Sequence, residues 1–154
     1  MFSSTKNYLT AILIAVFSFI NAQSVSLSFG TVDESSGTME ILMSNDVEVA
    51  GFQFNLSGAT ITGASGGSST DNGFSTSTGG STVLGFSFSG STIPAGSGVL
   101  TILEFSDLGT FSCIEDAVIS GLEGANLDVN VGDCIGDPPI FGCTDSSACN
   151  YNAD

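Results

Sequence analysis

Val47–Gly58 reads VEVAGFQFNLSG. From Gly51 onward the stretch alternates. Phe52, Phe54 and Leu56 fall on one side of an extended chain, and Gln53 and Asn55 on the other. A period of two with Phe and Leu inward predicts a strand with one buried face. The same period recurs on both sides of it. SVSLSF places Val25, Leu27 and Phe29 together, and TMEILMS does so for Met39, Ile41 and Met43. Ala59 and Ile61 mark a short strand. TVLGFSFSG aligns Leu84, Phe86 and Phe88. GVLTILEF is apolar on both faces, as a central strand is. TFSCIEDAVIS and NLDVNV complete the set.

Turn signals separate these runs: Asp33 to Gly37, Asn45-Asp46, Asp71-Asn72-Gly73, Gly79-Gly80 and Pro94 to Gly98. No long amphipathic helix is present in the pattern. The expected class is all-β, a two-sheet antiparallel sandwich or jelly roll of eight or nine strands. The Gly-, Ser- and Thr-rich stretch from Gly63 to Ser81 lies inside the strand pattern. It reads as a long surface loop or as a polar edge strand around Phe74. An open edge also invites strand addition, and an N-terminal strand such as SVSLSF is a candidate donor to a neighbouring copy.

The chain divides into four expected segments. Residues 1–22 have the form of a secretory signal peptide, with Lys6 charging the n-region, an apolar run from Leu9 to Ile20, and Ala22 at the cleavage point. The rival, a membrane anchor, is disfavoured by length. Such a run spans about 18 Å as a helix, and a bilayer core needs roughly 20 residues. Residues 23–135 form the β domain, 136–141 (beginning Gly136-Asp137-Pro138-Pro139) a stiff linker, and 142–154 a second element.

Composition narrows the chemistry. Lys6 is the only basic side chain against 16 acidic ones, and there is no His. The segment from Gln23 onward therefore has no cation to hold a phosphate, which argues against nucleic acid and anionic lipid as partners. It also has no His or Lys base and no GKS or GKT phosphate loop, which argues against an enzyme. Paired carboxylates for glycoside hydrolysis remain a formal alternative. The chain has no Trp, though, and only Tyr151 among tyrosines after the signal.

Candidate sites follow from what is present. Cys113, Cys134, Cys143 and Cys149 lack a CxxC pair and lie beyond the signal, so disulfides in an oxidising compartment are expected. A Cys113–Cys134 bond would close a loop of about 20 residues. Bonds from either Cys to the tail, or between Cys143 and Cys149, are the open alternatives. Asn150, Asn152 and Asp154 have the i, i+2, i+4 spacing of calcium loops, with Asp145 nearby. The alternative for the acidic residues is a solvated surface. Asn55-Leu56-Ser57 is a formal glycosylation acceptor. Phe74 is the candidate exposed aromatic for a glycan ligand, with a core position as its alternative.

Two resemblances arise from these residues. VAGFQFNLSGATITG, the later Gly-Phe strands and IPAGSGVL resemble the cohesin-like β-sandwich family, from about Val25 to Val131. That resemblance implies a jelly-roll-like sandwich of nine strands. Cohesins dock dockerin modules through one sheet face, and related sandwiches bind carbohydrate. The final GCTDSSACNYNAD resembles the GCTDxxACNY-type repeat of large secreted proteins of marine Bacteroidetes-like bacteria, and matches it through Tyr151. In that repeat a further Cys follows, which implies a sequence cut short within it. Together the readings favour a non-enzymatic secreted module. It would mediate protein–protein assembly at a cell surface or in an extracellular filament, with a protein partner or self-association through sheet edges. The alternative is a carbohydrate-binding module of a polysaccharide-degrading system.

Overall fold

The computed structural model describes residues Gln23–Pro138. Most of them form strands: β1 (Ser24–Asp33), β2 (Thr38–Asn45), β3 (Gly51–Leu56), β4 (Ala59–Ser65), β5 (Ser75–Gly79), β6 (Thr82–Phe86), β7 (Gly96–Leu108), β8 (Phe111–Ser112), β9 (Ile114–Ser120), β10 (Asn126–Val131) and β11 (Ile135–Gly136). One short helix, α1 (Gly67–Asp71), lies between β4 and β5.

Nine strands form one continuous sheet in the order β4-β7-β2-β1-β10-β9-β3-β6-β5, and β11 pairs with β8 in a two-stranded ribbon. The nine-stranded sheet folds on itself because β10 serves both halves. Its Asn126 and Leu127 pair with β9, while Asp128 to Val131 run beside β1. The result is a sandwich with β4-β7-β2-β1 in one layer and β9-β3-β6-β5 in the other. At one side the layers meet again, where Thr76 Oγ1 of β5 donates to the Ala64 carbonyl of β4 at 2.5 Å.

The core follows the expected period. Val25 and Leu27, Met39 and Ile41, and Phe52, Phe54 and Leu56 all turn inward and are fully or almost fully buried. Burial of an apolar side chain of this size contributes roughly 1.5–3 kcal/mol before conformational entropy is charged. β7 buries Leu100, Thr101 and Leu103, as a strand flanked by β2 and β4 does, and a bulge opposite Ile41 and Leu42 shifts its register.

Three expectations are corrected. The sheet is mixed, not antiparallel, because β1 and β10 run parallel from Ser24↔Asp128 to Leu27↔Val131. Nearly the whole domain lies between these strands, which supplies the long crossover that a parallel pair requires. SVSLSF is also no free donor strand: β1 is paired on one side with β2 and on the other with β10. The terminal strands of the nine-stranded sheet are β4 and β5, and β7 is left without a partner strand on the β4 side before Ile102. Finally, Gly63–Ser81 is neither one loop nor one strand. It forms the end of β4, α1 and the edge strand β5.

Candidate functional site: the outer face of β9-β3-β6-β5

β6 decides what this layer shows to solvent. Across from the bulky Phe52 and Phe54 of β3 it places Gly85 and Val83. The Phe52 ring lies over Gly85, where a β-carbon would come within 2.1 Å of its Cζ. The inward positions of β6 are thus the small ones, and Leu84 and Phe86 are turned outward. Cross-strand neighbours then form rows. Val118, Gln53, Leu84 and Ser77 lie side by side, and so do Ser120, Gly51, Phe86 and Ser75. Gly51 contributes no side chain to the second row, and a shallow depression of about 290 Å³ opens there between Val118, Leu84 and Phe86.

The face is apolar along this line and polar at its ends. Val118 is 53% exposed, Leu84 37% and Phe88 84%. Phe88 follows β6 on a tight turn and meets Phe86 edge-on, with centroids 4.6 Å apart. Hydroxyls shape that turn: Ser87 and Ser89 lie 3.0 Å apart, Ser89 and Ser91 2.9 Å, and the Ser91 N–H donates to Ser87 Oγ at 3.2 Å. At the opposite end a bulge in β9 puts Asp116 at φ 49°, a left-handed value that non-glycine residues seldom adopt. Its carboxylate accepts from Asn55 Nδ2 at 3.0 Å, and Asn55 Oδ1 accepts from Thr82 Oγ1 at 2.7 Å. Glu115 adds a second exposed carboxylate beside it. No Lys, Arg or His occurs among the described residues.

The other sequence-derived positions fall elsewhere. Cys113 and Cys134 are disulfide-bonded, with Cα atoms 4.4 Å apart, and the bond encloses β9 and β10. Cys143 and Cys149, and the calcium candidates Asp145, Asn150, Asn152 and Asp154, lie outside the described residues. Among the described residues no three acidic, Cys or His side chains gather as metal ligands. Phe74 takes the core position of its two alternatives: it is 8% exposed and stacks on Phe52 with centroids 6.1 Å apart. The amide of Asn55, the glycosylation candidate, is held on one side by Thr82 and on the other by Asp116. Asp33 caps its own turn, accepting from Ser35 Oγ at 2.5 Å and from the Ser35 N–H at 2.9 Å. That Ser35 hydroxyl, and then Ser36, hold its carboxyl at about 2, below the usual 3.8.

Sequence reading missed Phe88 and Val118 as exposed apolar groups. It aligned Leu84, Phe86 and Phe88 without deciding which way they face. The signal was Gly85: a glycine opposite Phe52 leaves room for that ring only on the inner side.

No protein-family model and no curated protein matches the chain. Solved structures do. A non-cellulosomal cohesin from the hyperthermophilic archaeon Archaeoglobus fulgidus superposes with a TM-score of 0.52 at 18% identity, over 70% of this chain and 86% of that one. A cohesin–dockerin complex of type I from Clostridium thermocellum follows with a TM-score of 0.47 at 14% identity, over 71% and 88%. A type II cohesin domain from the cellulosome of Acetivibrio cellulolyticus also gives 0.47 at 14%, over 73% and 93%. The two-layered sheet of β1 to β7, β9 and β10 is therefore a cohesin-like β-sandwich.

Proposed function

We propose that this chain is a secreted, non-enzymatic assembly module that docks a protein partner on the outer face of β9-β3-β6-β5. One observation carries the reading. Val118, Leu84, Phe86 and Phe88 line up on the solvent side of a sheet whose inner face already supplies the core. Exposed apolar groups gathered around a shallow depression, with Gln53 among them and a polar rim, have the anatomy of an interaction site. The cohesin-like fold supports it, as do the segment read as a signal peptide and the disulfide. The absence of His from the sequence, and of Lys and Arg after residue 6, supports the non-enzymatic part. Charge defines the partner. Glu115 and Asp116 flank the strip and this domain has no cation to offer, so the partner brings an apolar ridge with Lys or Arg beside it.

Photo-crosslinking tests the face. A benzophenone amino acid at position 118, exposed to secreted and surface proteins of the source cells, is expected to capture one discrete protein. The same group at Ser26, on the other layer, is expected to capture none. Equal capture from both positions would sink the reading.

A glycan reading is favoured by one feature, the Phe88 ring presented beside the Ser87, Ser89 and Ser91 hydroxyls. It requires saturable glycan binding that Phe88→Ala removes and Val118→Asp leaves intact.

A further inference from the structure

The IPAGSGVL stretch, Ile93 to Leu100, contains two glycines that the fold does not require. Neither Gly96 nor Gly98 has a positive φ, and a β-carbon at either would meet no atom within 4 Å. Both pair with buried residues of β2, Gly96 with Asn45 and Gly98 with Met43, so both face the same side of the ladder as those two. The space they leave is a cavity of about 180 Å³ at the end of the sandwich. Met43 and Ile93 give it an apolar floor, and Ser68 and Asn72 near α1 line one wall. A valine at either glycine would fill part of it.

Two groups around the cavity lack partners among the described residues. Asn45 is 7% exposed, and its Nδ2 donates both hydrogens, to the carbonyls of Val47 at 2.7 Å and Pro94 at 3.0 Å. Two carbonyl partners fix which end of the amide is nitrogen. Oδ1 is left with no hydrogen-bond partner among the described residues, and it is not sealed from solvent. The second group is backbone. β4 covers β7 only from Leu108 to Ile102, and the start of α1 continues the cover to Val99, where Gly67 lies against its carbonyl, so only Gly96 to Gly98 are paired with β2 alone. The Asp46 N–H bonds to the Ser24 carbonyl. Ladder alternation from that pair turns Met43 and Asn45 toward β7, and turns the N–H and C=O of Ser97 to the open side. Ala95 to Gly98 are all exposed. No charged residue lines the cavity, in a domain whose ionisable side chains are otherwise carboxylates.

We propose that the open edge of β7 at Ser97 takes an extended, uncharged peptide segment, which places a hydroxyl or amide side chain into the cavity against Asn45 Oδ1. Backbone pairing supplies the affinity of strand addition and the side-chain pocket its selectivity. The incoming residue paired with Ser97 points away from the core, and its neighbours point in, where Gly96 and Gly98 leave room. The donor must be a hydroxyl or amide because Asn45 has only an acceptor to offer. A carboxylate has no proton to give at neutral pH and would be repelled. This site is separate from the β9-β3-β6-β5 face.

The test is a titration of ¹⁵N-labelled Gln23–Asp154 with the capped peptide acetyl-Ala-Asn-Ala-Asn-Ala-amide, in which Asn is the only side-chain donor, followed by amide shifts. Saturable shifts are expected at Asn45, Asn72, Ser97 and Gly98. Replacing both Asn of the peptide by Asp is expected to weaken binding by about tenfold or more, the loss of one hydrogen bond plus repulsion. Gly98→Val is expected to keep or raise the urea midpoint while abolishing the shifts, because its side chain occupies the cavity. Ser97→Pro removes the outward-facing N–H together with the hydroxyl, a change tolerated at a strand edge, and is expected to abolish them too. No saturable shift at Gly96 to Gly98 up to about 10 mM peptide, equal binding of both peptides, or shifts that persist in Gly98→Val would each overturn the proposal.

Discussion

Gly85→Ala probes the contact that sets the direction of the β6 side chains. A methyl group there would sit 2.1 Å from Phe52 Cζ, 2.3 Å from Cε1 and 2.7 Å from Cε2. Carbon atoms in contact prefer roughly 3.5–4 Å, so the ring must retreat by more than an ångström. It has little room to do so: Phe52 is 2% exposed and stacked between Phe54, centroids 6.2 Å away, and Phe74, 6.1 Å away. Burying one extra methyl in free space would gain about 0.8 kcal/mol. Overpacking of this kind instead costs about 1–3 kcal/mol, and the three-ring stack puts Gly85→Ala near the upper end. Phe52→Leu alone leaves a cavity and costs a fraction of the ~3–5 kcal/mol of a Phe-to-Ala change. Together the two substitutions relieve each other. The double variant is then less destabilised than the sum by about 1–2 kcal/mol, within the range for residues in contact. Urea denaturation of the four proteins, followed by far-ultraviolet circular dichroism, reads the cycle. A neutral Gly85→Ala, or an additive cycle, would refute the packing of Phe52 on Gly85 and with it the outward placement of Leu84 and Phe86.

Neighbouring residues of β6 give a sharp contrast. Val83→Asp, at a fully buried position, is expected to abolish folding, and Leu84→Asp to leave the unfolding free energy from urea denaturation within about 0.5 kcal/mol of wild type. Replacing Cys113 and Cys134 by Ser removes a cross-link with a sequence separation of 21. The chain-entropy relation puts the loss at about 3 kcal/mol, seen as a lower urea midpoint that reductant reproduces in the wild type only. Asp33 is expected to titrate near 2 by carboxyl NMR, and Ser35→Ala to raise that value toward 3.8. The lowered value stabilises the fold above pH 3.8, and that contribution is lost as the pH falls through about 2. An ordinary value in the wild type would show that the Ser35 hydroxyl does not hold the turn.

The strands were legible because their signal is local. Period-two alternation marks β1, β2, β3 and β10 without reference to anything else in the chain. The direction of β6 was not, because TVLGFSFSG carries apolar residues on both faces and only the opposing Phe52 decides between them. Phe74 was ambiguous for a related reason. Its neighbours are Gly, Ser and Thr, yet the turn after α1, where the Phe74 N–H bonds to the Ser69 carbonyl at 2.9 Å, carries it under Phe52. The parallel β1–β10 pair joins residues about a hundred positions apart, and no local pattern encodes it. The Cys113–Cys134 pairing was one of several that four cysteines allow, and the approach of β8 to β11 selects it.

The central claim is that the outer β9-β3-β6-β5 face holds a protein partner, and it is tested most directly by comparing retention on immobilised wild-type protein and on Val118→Asp. Secreted and surface proteins of the source cells are passed over both, after equal urea midpoints have shown both to be folded. The account predicts one protein species held in stoichiometric amount by the wild type and released by the substitution. Equal retention on the two surfaces would contradict it, and so would retention of polysaccharide alone.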